Sequence, residues 1–133
     1  MNAPVSWCSK KQNVVALSLC KVEFIASVEA ACQGLWLESV LEELKLNYRK
    51  PVQLLVDNKS TIDTSKNPIS HGKSKQIETK YHFLRDQVMK KKIELMYCFT
   101  KEQVANIFTK PLKQSRFEKL RDLLELKSPD VLD

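Results

Sequence analysis

The chain has 133 residues, room for one domain and little more. Charged residues make up 29%, hydrophobic residues 43% and aromatics 8%, which fits a globular domain and excludes wholesale disorder, collagen-like repeats and low-complexity sequence. Two glycines, Gly34 and Gly72, are too few for a Gly-rich phosphate loop of either common type. The uncharged stretch from Gln12 to Cys20 is too short to span a bilayer, and the first nine residues lack the charged lead and apolar core of a signal peptide. The expectation is an intracellular protein, cytoplasmic or nuclear, without a membrane partner.

Twenty-two basic residues face 16 acidic ones, a net charge of +6. The excess is concentrated: residues 57–92 carry nine basic and four acidic side chains, while the flanking stretches are nearly neutral. A basic zone of that kind suits a polyanionic partner, and it equally suits a solvated lysine-rich face. The four cysteines, at 8, 20, 32 and 98, form no Cys-x-x-Cys pair, and there are two histidines, so a structural zinc site has no support. Free thiols in a reducing compartment are expected.

In chain order, Val5 to Cys8 reads as a short strand. Ser18 caps a helix running from Leu19 to Lys45. One stripe of that helix, Glu23, Ala26, Ala30, Gly34, Leu37, Leu41 and Leu44, keeps steps of three and four and is apolar after its first member. Its small residues would let it approach a sheet closely, with Glu23 where the buried face opens. That glutamate is either a site carboxylate or an ordinary first-turn residue.

Pro51 to Asp57 is a near-continuous apolar run, the pattern of a strand covered on both faces. Asp57 at its end is either a site residue at a strand C-terminus or the cap of the short helix that follows, about Ser60 to Lys66. After a polar loop, a helix from about Ile77 to Lys91 places Ile77, Tyr81, Leu84 and Val88 on one face. Ile93 to Phe99 alternates as a strand. Thr100 and Gln103 make a capping-box pattern before a short helix ending near Thr109. An amphipathic helix spans about Ser115 to Leu126, and residues 127–133 form a flexible tail. Trp7, Trp36 and Cys98 are expected in the core, and His82 partly packed. The order predicts an α/β domain with a small, mostly parallel sheet and right-handed crossovers, short of strands at its N-terminal end.

Several segments together resemble the ribonuclease H domain of copia-type retrotransposon Pol polyproteins. They are Val5-Ser6-Trp7-Cys8-Ser9-Lys10-Lys11-Gln12, Val22-Glu23-Phe24-Ile25-Ala26, Val56-Asp57-Asn58-Lys59-Ser60-Thr61-Ile62, Lys80-Tyr81-His82-Phe83-Leu84-Arg85 and Asn106-Ile107-Phe108-Thr109-Lys110. They run in the family's order from about Val5 to Leu126. The resemblance implies an N-terminally truncated ribonuclease H-like fold over residues 1–126, lacking the first two strands. It implies cleavage of RNA in RNA/DNA hybrids at two Mg²⁺ ions held by carboxylates. Glu23 and Asp57 match the family's helix glutamate and strand-end aspartate, as catalytic and metal-binding residues. The family's first aspartate would lie upstream of residue 1, and Asn106 stands where a further carboxylate is expected. Lys21 and Gln76 replace a family glutamate and histidine.

The resemblance therefore implies a degenerate site, inactive in this chain alone, and a free strand edge that a homodimer or an upstream Pol segment would cover. Beside it stands a non-catalytic nucleic-acid-binding module using residues 59–92. His71, Lys73, Lys75, Lys80, Arg85 and Lys90–Lys92 are its candidates for contacts to a hybrid or another nucleic acid.

Overall fold

A computed structural model describes residues 4–9, 11, 19–67 and 75–126, with the backbone alone at 20, 75 and 76. The described residues fall into two compact units. One lies within Ala16–Cys98, and the other joins residues before 16 with those from Phe99 onward.

The larger unit is α/β. Helix α1 spans Leu19–Glu43, strand β1 Val52–Val56, helices α2 and α3 Lys59–Lys66 and Lys75–Met89, and strand β2 Ile93–Tyr97. β1 and β2 pair in parallel, Val52 opposite Ile93 through Val56 opposite Tyr97, with α2 and α3 forming the crossover between them. A parallel pair needs such a connection, because its strands cannot be joined by a tight turn. Among the described residues the sheet has these two strands.

The two faces of the sheet differ. Val56, Ile93 and Leu95 are buried, with Val52 and Leu54 half-buried beside them, while Gln53, Leu55, Glu94 and Met96 are exposed. The expectation of cover on both faces is thus corrected for β1. Gln53 sets an ordinary alternation once it faces outward, where its amide donates to Glu94 Oε2 at 3.0 Å.

α1 contacts β1, α2 and α3. Its fully buried side chains are Phe24, Ile25, Ser27, Val28 and Ala31, with Phe24 stacked on Tyr81 of α3. The small-residue stripe is only partly the packing face. Gly34 lies against β1, where an added Cβ would fall 2.9 Å from Val52 Cγ1, but Ala26, Ala30 and Leu44 are exposed. Bulky side chains win the interior because each removes more apolar area from water than an alanine does. Residues Lys21–Glu43 are long and apolar enough to cross a bilayer by length and composition. In the fold they serve as the core helix of this unit. On α3 the expected face holds: Ile77, Tyr81 and Leu84 are buried and Val88 is half-buried.

α1 and α3 end alike. Leu46 N–H reaches Leu41 O and Lys45 N–H reaches Glu42 O; Lys92 reaches Gln87 O and Lys91 reaches Val88 O. Lys45 and Lys91 take the left-handed conformation, φ 54° and 55°, that this termination requires and that glycine usually fills.

The smaller unit holds a 3₁₀ helix, Val104–Phe108, in contact with helix α4, Gln114–Leu123. Leu120 of α4 is fully buried. Residues Val5 to Cys8 have no regular structure, which corrects the expected strand. Trp7 instead stacks on Phe108 with ring centroids 4.9 Å apart and remains 61% exposed. Trp36 is 58% exposed, so neither tryptophan is a core residue, and Cys98 is half-buried. The Thr100–Gln103 capping box does not form. Gln103 occupies the cap position without a side-chain bond, and its N–H donates to Phe99 O.

Candidate carboxylate site

Asp57 follows the last residue of β1 and is half-buried. The helix after it is capped by its neighbour. Asn58 has extended backbone, φ −124° and ψ 110°, and its side-chain oxygen accepts from Ser60 N–H at 2.9 Å. That settles the alternative left open by the sequence: Asp57 is not the cap of α2. Among the described residues no hydrogen bond or ion pair involves the Asp57 carboxylate. A half-buried carboxylate at a strand C-terminus with no structural task is available to a ligand.

Glu23 lies in the second turn of α1, half-buried, and its backbone carbonyl accepts from Ser27 Oγ at 2.9 Å. The direction of α1 against β1 follows from contacts at the start of the strand and in the segment just before it. Lys50 Nζ lies 2.6 Å from Glu42 Oε1 and 3.8 Å from Glu38 Oε1. Tyr48 OH lies between two carboxylates, 2.7 Å from Glu42 Oε1 and 3.0 Å from Glu38 Oε1, with its one proton shared between them. Two residues beyond Lys50, Val52 meets Gly34. Numbers rise along the strand as they fall along the helix, so the two run antiparallel. The Lys50 ammonium hydrogen-bonded to Glu42, with Tyr48 adding to it, holds that carboxyl below the ordinary glutamate range. Hydrogen bonding to Glu42 likewise pushes Lys50 up. Burial raises the Tyr48 phenol, with Lys50 opposing it.

Asn106 belongs to the smaller unit and is 4% exposed. Its Nδ2 donates to Thr100 O at 3.0 Å, and its backbone carbonyl accepts from the N–H groups of Thr109 and Lys110. Arg116 Nη2 donates to the same Thr100 carbonyl. Asn106 is therefore a pin of the local fold, a role no motif in the sequence announced.

Of the basic candidates, His71 and Lys73 lie outside the described residues, and Lys75 opens α3 with its backbone alone described. Lys80 Nζ is 2.8 Å from Glu29 Oε1 and Lys90 Nζ is 2.7 Å from Asp86 Oδ2. Lys59 sits 4.8 Å above the Tyr97 ring. His82 is exposed rather than partly packed, 4.0 Å from Glu78. Cys32, near Glu29 and Lys80, has its thiol pushed up by burial and by the Glu29 carboxylate, which keeps it protonated at neutral pH.

Carboxylate oxygens suit Mg²⁺, but among the described residues no three His, Cys, Asp or Glu side chains gather as a metal cluster. The donor type fits the ion and the donor number does not.

The chain is 35% identical over 124 residues, 93% of its length, to the retrovirus-related Pol polyprotein from transposon TNT 1-94 of Nicotiana tabacum. It is 32% identical over 115 residues to the corresponding polyproteins from transposons RE1 and RE2 of Arabidopsis thaliana. It spans 9% of the length of the first relative and 8% of the other two. No family model and no solved structure matches it.

Proposed function

Starting from a chain related to a segment of the retrovirus-related Pol polyproteins of copia-type transposons, we propose that it is their ribonuclease H-like segment. In this reading Glu23 and Asp57 are half of a carboxylate set for hybrid cleavage, and the chain does not cleave by itself. The observation that carries the reading is the antiparallel packing of α1 on β1. From the Gly34–Val52 contact, eleven residues back along a helix cover roughly 16 Å. Five residues forward along a strand cover about the same distance. Glu23 and Gly34 share a helix face, so the extrapolation brings Glu23 level with Asp57. The idle Asp57 carboxylate supports the same assignment.

Mg²⁺, when bound by a full set, would activate water and stabilise the leaving oxygen during displacement at phosphorus. In the proposal Asp57 and Glu23 supply oxygen ligands at the strand end. Asn106, with its amide given to Thr100, contributes no charge. Two carboxylates leave the positive charge of an ion pair largely uncompensated, so occupancy falls and cleavage with it.

The test is a Mg²⁺-dependent cleavage assay on an end-labelled RNA/DNA hybrid. The chain alone is expected to give no product. Adding the polypeptide that precedes the matched segment in the tobacco relative is expected to restore cleavage, and Asp57→Asn to abolish it. Cleavage that survives Asp57→Asn, or no cleavage after complementation, would overturn the assignment. A second reading, a binding module without catalysis, is favoured by the net +5 carried by residues 57–92.

A further inference from the structure

Helix α1 buries one face and leaves another open. Of the most apolar stretch within Lys21–Glu43, 28% is buried in the fold. The open face is regular. Ala26, Ala30, Gln33, Leu37, Val40 and Leu44 follow one another in alternating steps of four and three, the period of a helix–helix seam. Leu44 belongs to the last turn, since its N–H still bonds Val40 O. Ala26, Ala30, Gln33 and Leu44 are exposed, and Leu37 and Val40 are half-buried. Trp36 stands exposed beside the middle of the seam, with exposed Glu29 and Glu43 one heptad before and after it. Gly34, which meets Val52 of β1, lies on the opposite flank.

We propose that α1 is the interface of a symmetric homodimer, two copies packing antiparallel along this seam with Trp36 at its centre. The proposal is independent of the nuclease reading. The occupant is a second copy because the seam is graded and complements itself: its first half is small and its second half large. In an antiparallel pair Ala26 faces Leu44 of the second copy, Ala30 faces Val40 and Gln33 faces Leu37. Small then meets large at both ends of the contact, which fills the space evenly. Parallel copies would stack alanine on alanine at one end and leave a gap there. A two-fold axis through the middle brings Trp36 against its own counterpart, the central aromatic position that dominates many interfaces. Gln33, the one polar member, costs stability and helps set the register. Glu29 approaches Glu43 of the second copy, a like-charge contact that Lys80, 2.8 Å from Glu29, offsets.

The test is sedimentation velocity of the full chain over a concentration series. A seam of three heptads lies at the weak end of specific interfaces, so the dimer is expected to form between about 10 and 100 μM. Trp36→Ala is expected to weaken self-association at least about tenfold. Ala26→Glu and Leu44→Lys, both at exposed positions, place a charge in the seam twice per dimer and are expected to weaken it as much, with unchanged circular dichroism. Mixed one to one, these two variants are expected to associate to within about threefold of the native chain. Antiparallel copies bring the new carboxylate to the new ammonium at one end and keep the native layer at the other. A chain that stays monomeric at the highest concentration, a dimer untouched by Trp36→Ala, or a mixture no tighter than its components overturns the proposal. So does one further result: the polypeptide that precedes the matched segment in the tobacco relative dissolves the dimer, and its own binding is lost in Ala26→Glu. The seam would then belong to that polypeptide.

Discussion

Asp57 and Asn106 occupy two motif positions of the same resemblance, and the two units treat them in opposite ways. In the larger unit Asp57 sits half-buried at the end of a strand, its capping duty taken by Asn58, its carboxylate idle. In the smaller unit Asn106 is buried, its side-chain Nδ2 donates to Thr100 O and its backbone carbonyl accepts from Thr109 and Lys110 N–H. A group kept for a ligand leaves hydrogen-bonding capacity unused at an accessible place. A side chain kept for the fold is bonded within it. By that contrast the Asp57 carboxylate carries no bond within the fold among the described residues, while the Asn106 side chain holds the local fold.

The largest test of that contrast is a pair of exchanges between the same two side chains. Asn106→Asp replaces a donor facing Thr100 O by a carboxylate in a buried place, and is expected to cost about 2 kcal/mol or more in chemical denaturation. Asp57→Asn removes no contact and is expected to stay within about 0.5 kcal/mol of the native chain. Similar costs at the two positions would erase the distinction.

The register that carries Asp57 past α1 depends on Gly34. A methyl there meets Val52 Cγ1, which a β-branched side chain cannot swing aside. Overpacking outweighs the roughly 1 kcal/mol that alanine gains over glycine in a helix, so Gly34→Ala is expected to lose about 1 kcal/mol net. Val52→Ala in the same chain is expected to recover part of it, read as a double-mutant cycle.

Thr61 sharpens the comparison from another side. Its hydroxyl is also without a partner, but it is fully buried, so it is a cost rather than an offer. Thr61→Val keeps the shape and is expected to raise stability by about 1 kcal/mol; a loss would mean that the hydroxyl is satisfied in solution.

The smallest effect is on the Tyr48–Lys50 tie to α1. Glu42 has its pKa depressed in the fold, so its contribution is present above the ordinary glutamate value and fades as pH falls through the lower folded value. Lys50 is raised, so its share is present below the ordinary lysine value and is lost only at strongly alkaline pH. Side-chain NMR of Tyr48 is expected to stay constant through the neutral range and to change only on acidification below about pH 4.5 or in strong alkali. A change centred on neutral pH would contradict the contacts described.

Much of the larger unit was legible in the sequence. The unbroken run of helix formers after Leu19, the apolar stretches at 52–56 and 93–97 and the Ile77, Tyr81, Leu84 face each carry their own period, and the helix-rich spacing between the strands gives the crossover length that a parallel pair needs. What was not legible depended on neighbours. Val5 to Cys8 has strand composition, but Trp7 finds Phe108 instead of a ladder. Which α1 face packs was decided by the size of Phe24, Ile25 and Val28 against the alanines, beyond what spacing alone expresses. Asp57 was legible as a candidate, and the cap that frees it needed coordinates. The task of Asn106 was invisible, because its partner is a backbone carbonyl.

The most direct test is a Mg²⁺ titration of the isotopically labelled chain followed by NMR. The account predicts weak, millimolar binding, as expected for two carboxylates, with shifts centred on Glu23 and Asp57 and lost in Asp57→Asn. Shifts centred elsewhere, or unchanged by Asp57→Asn, would contradict it.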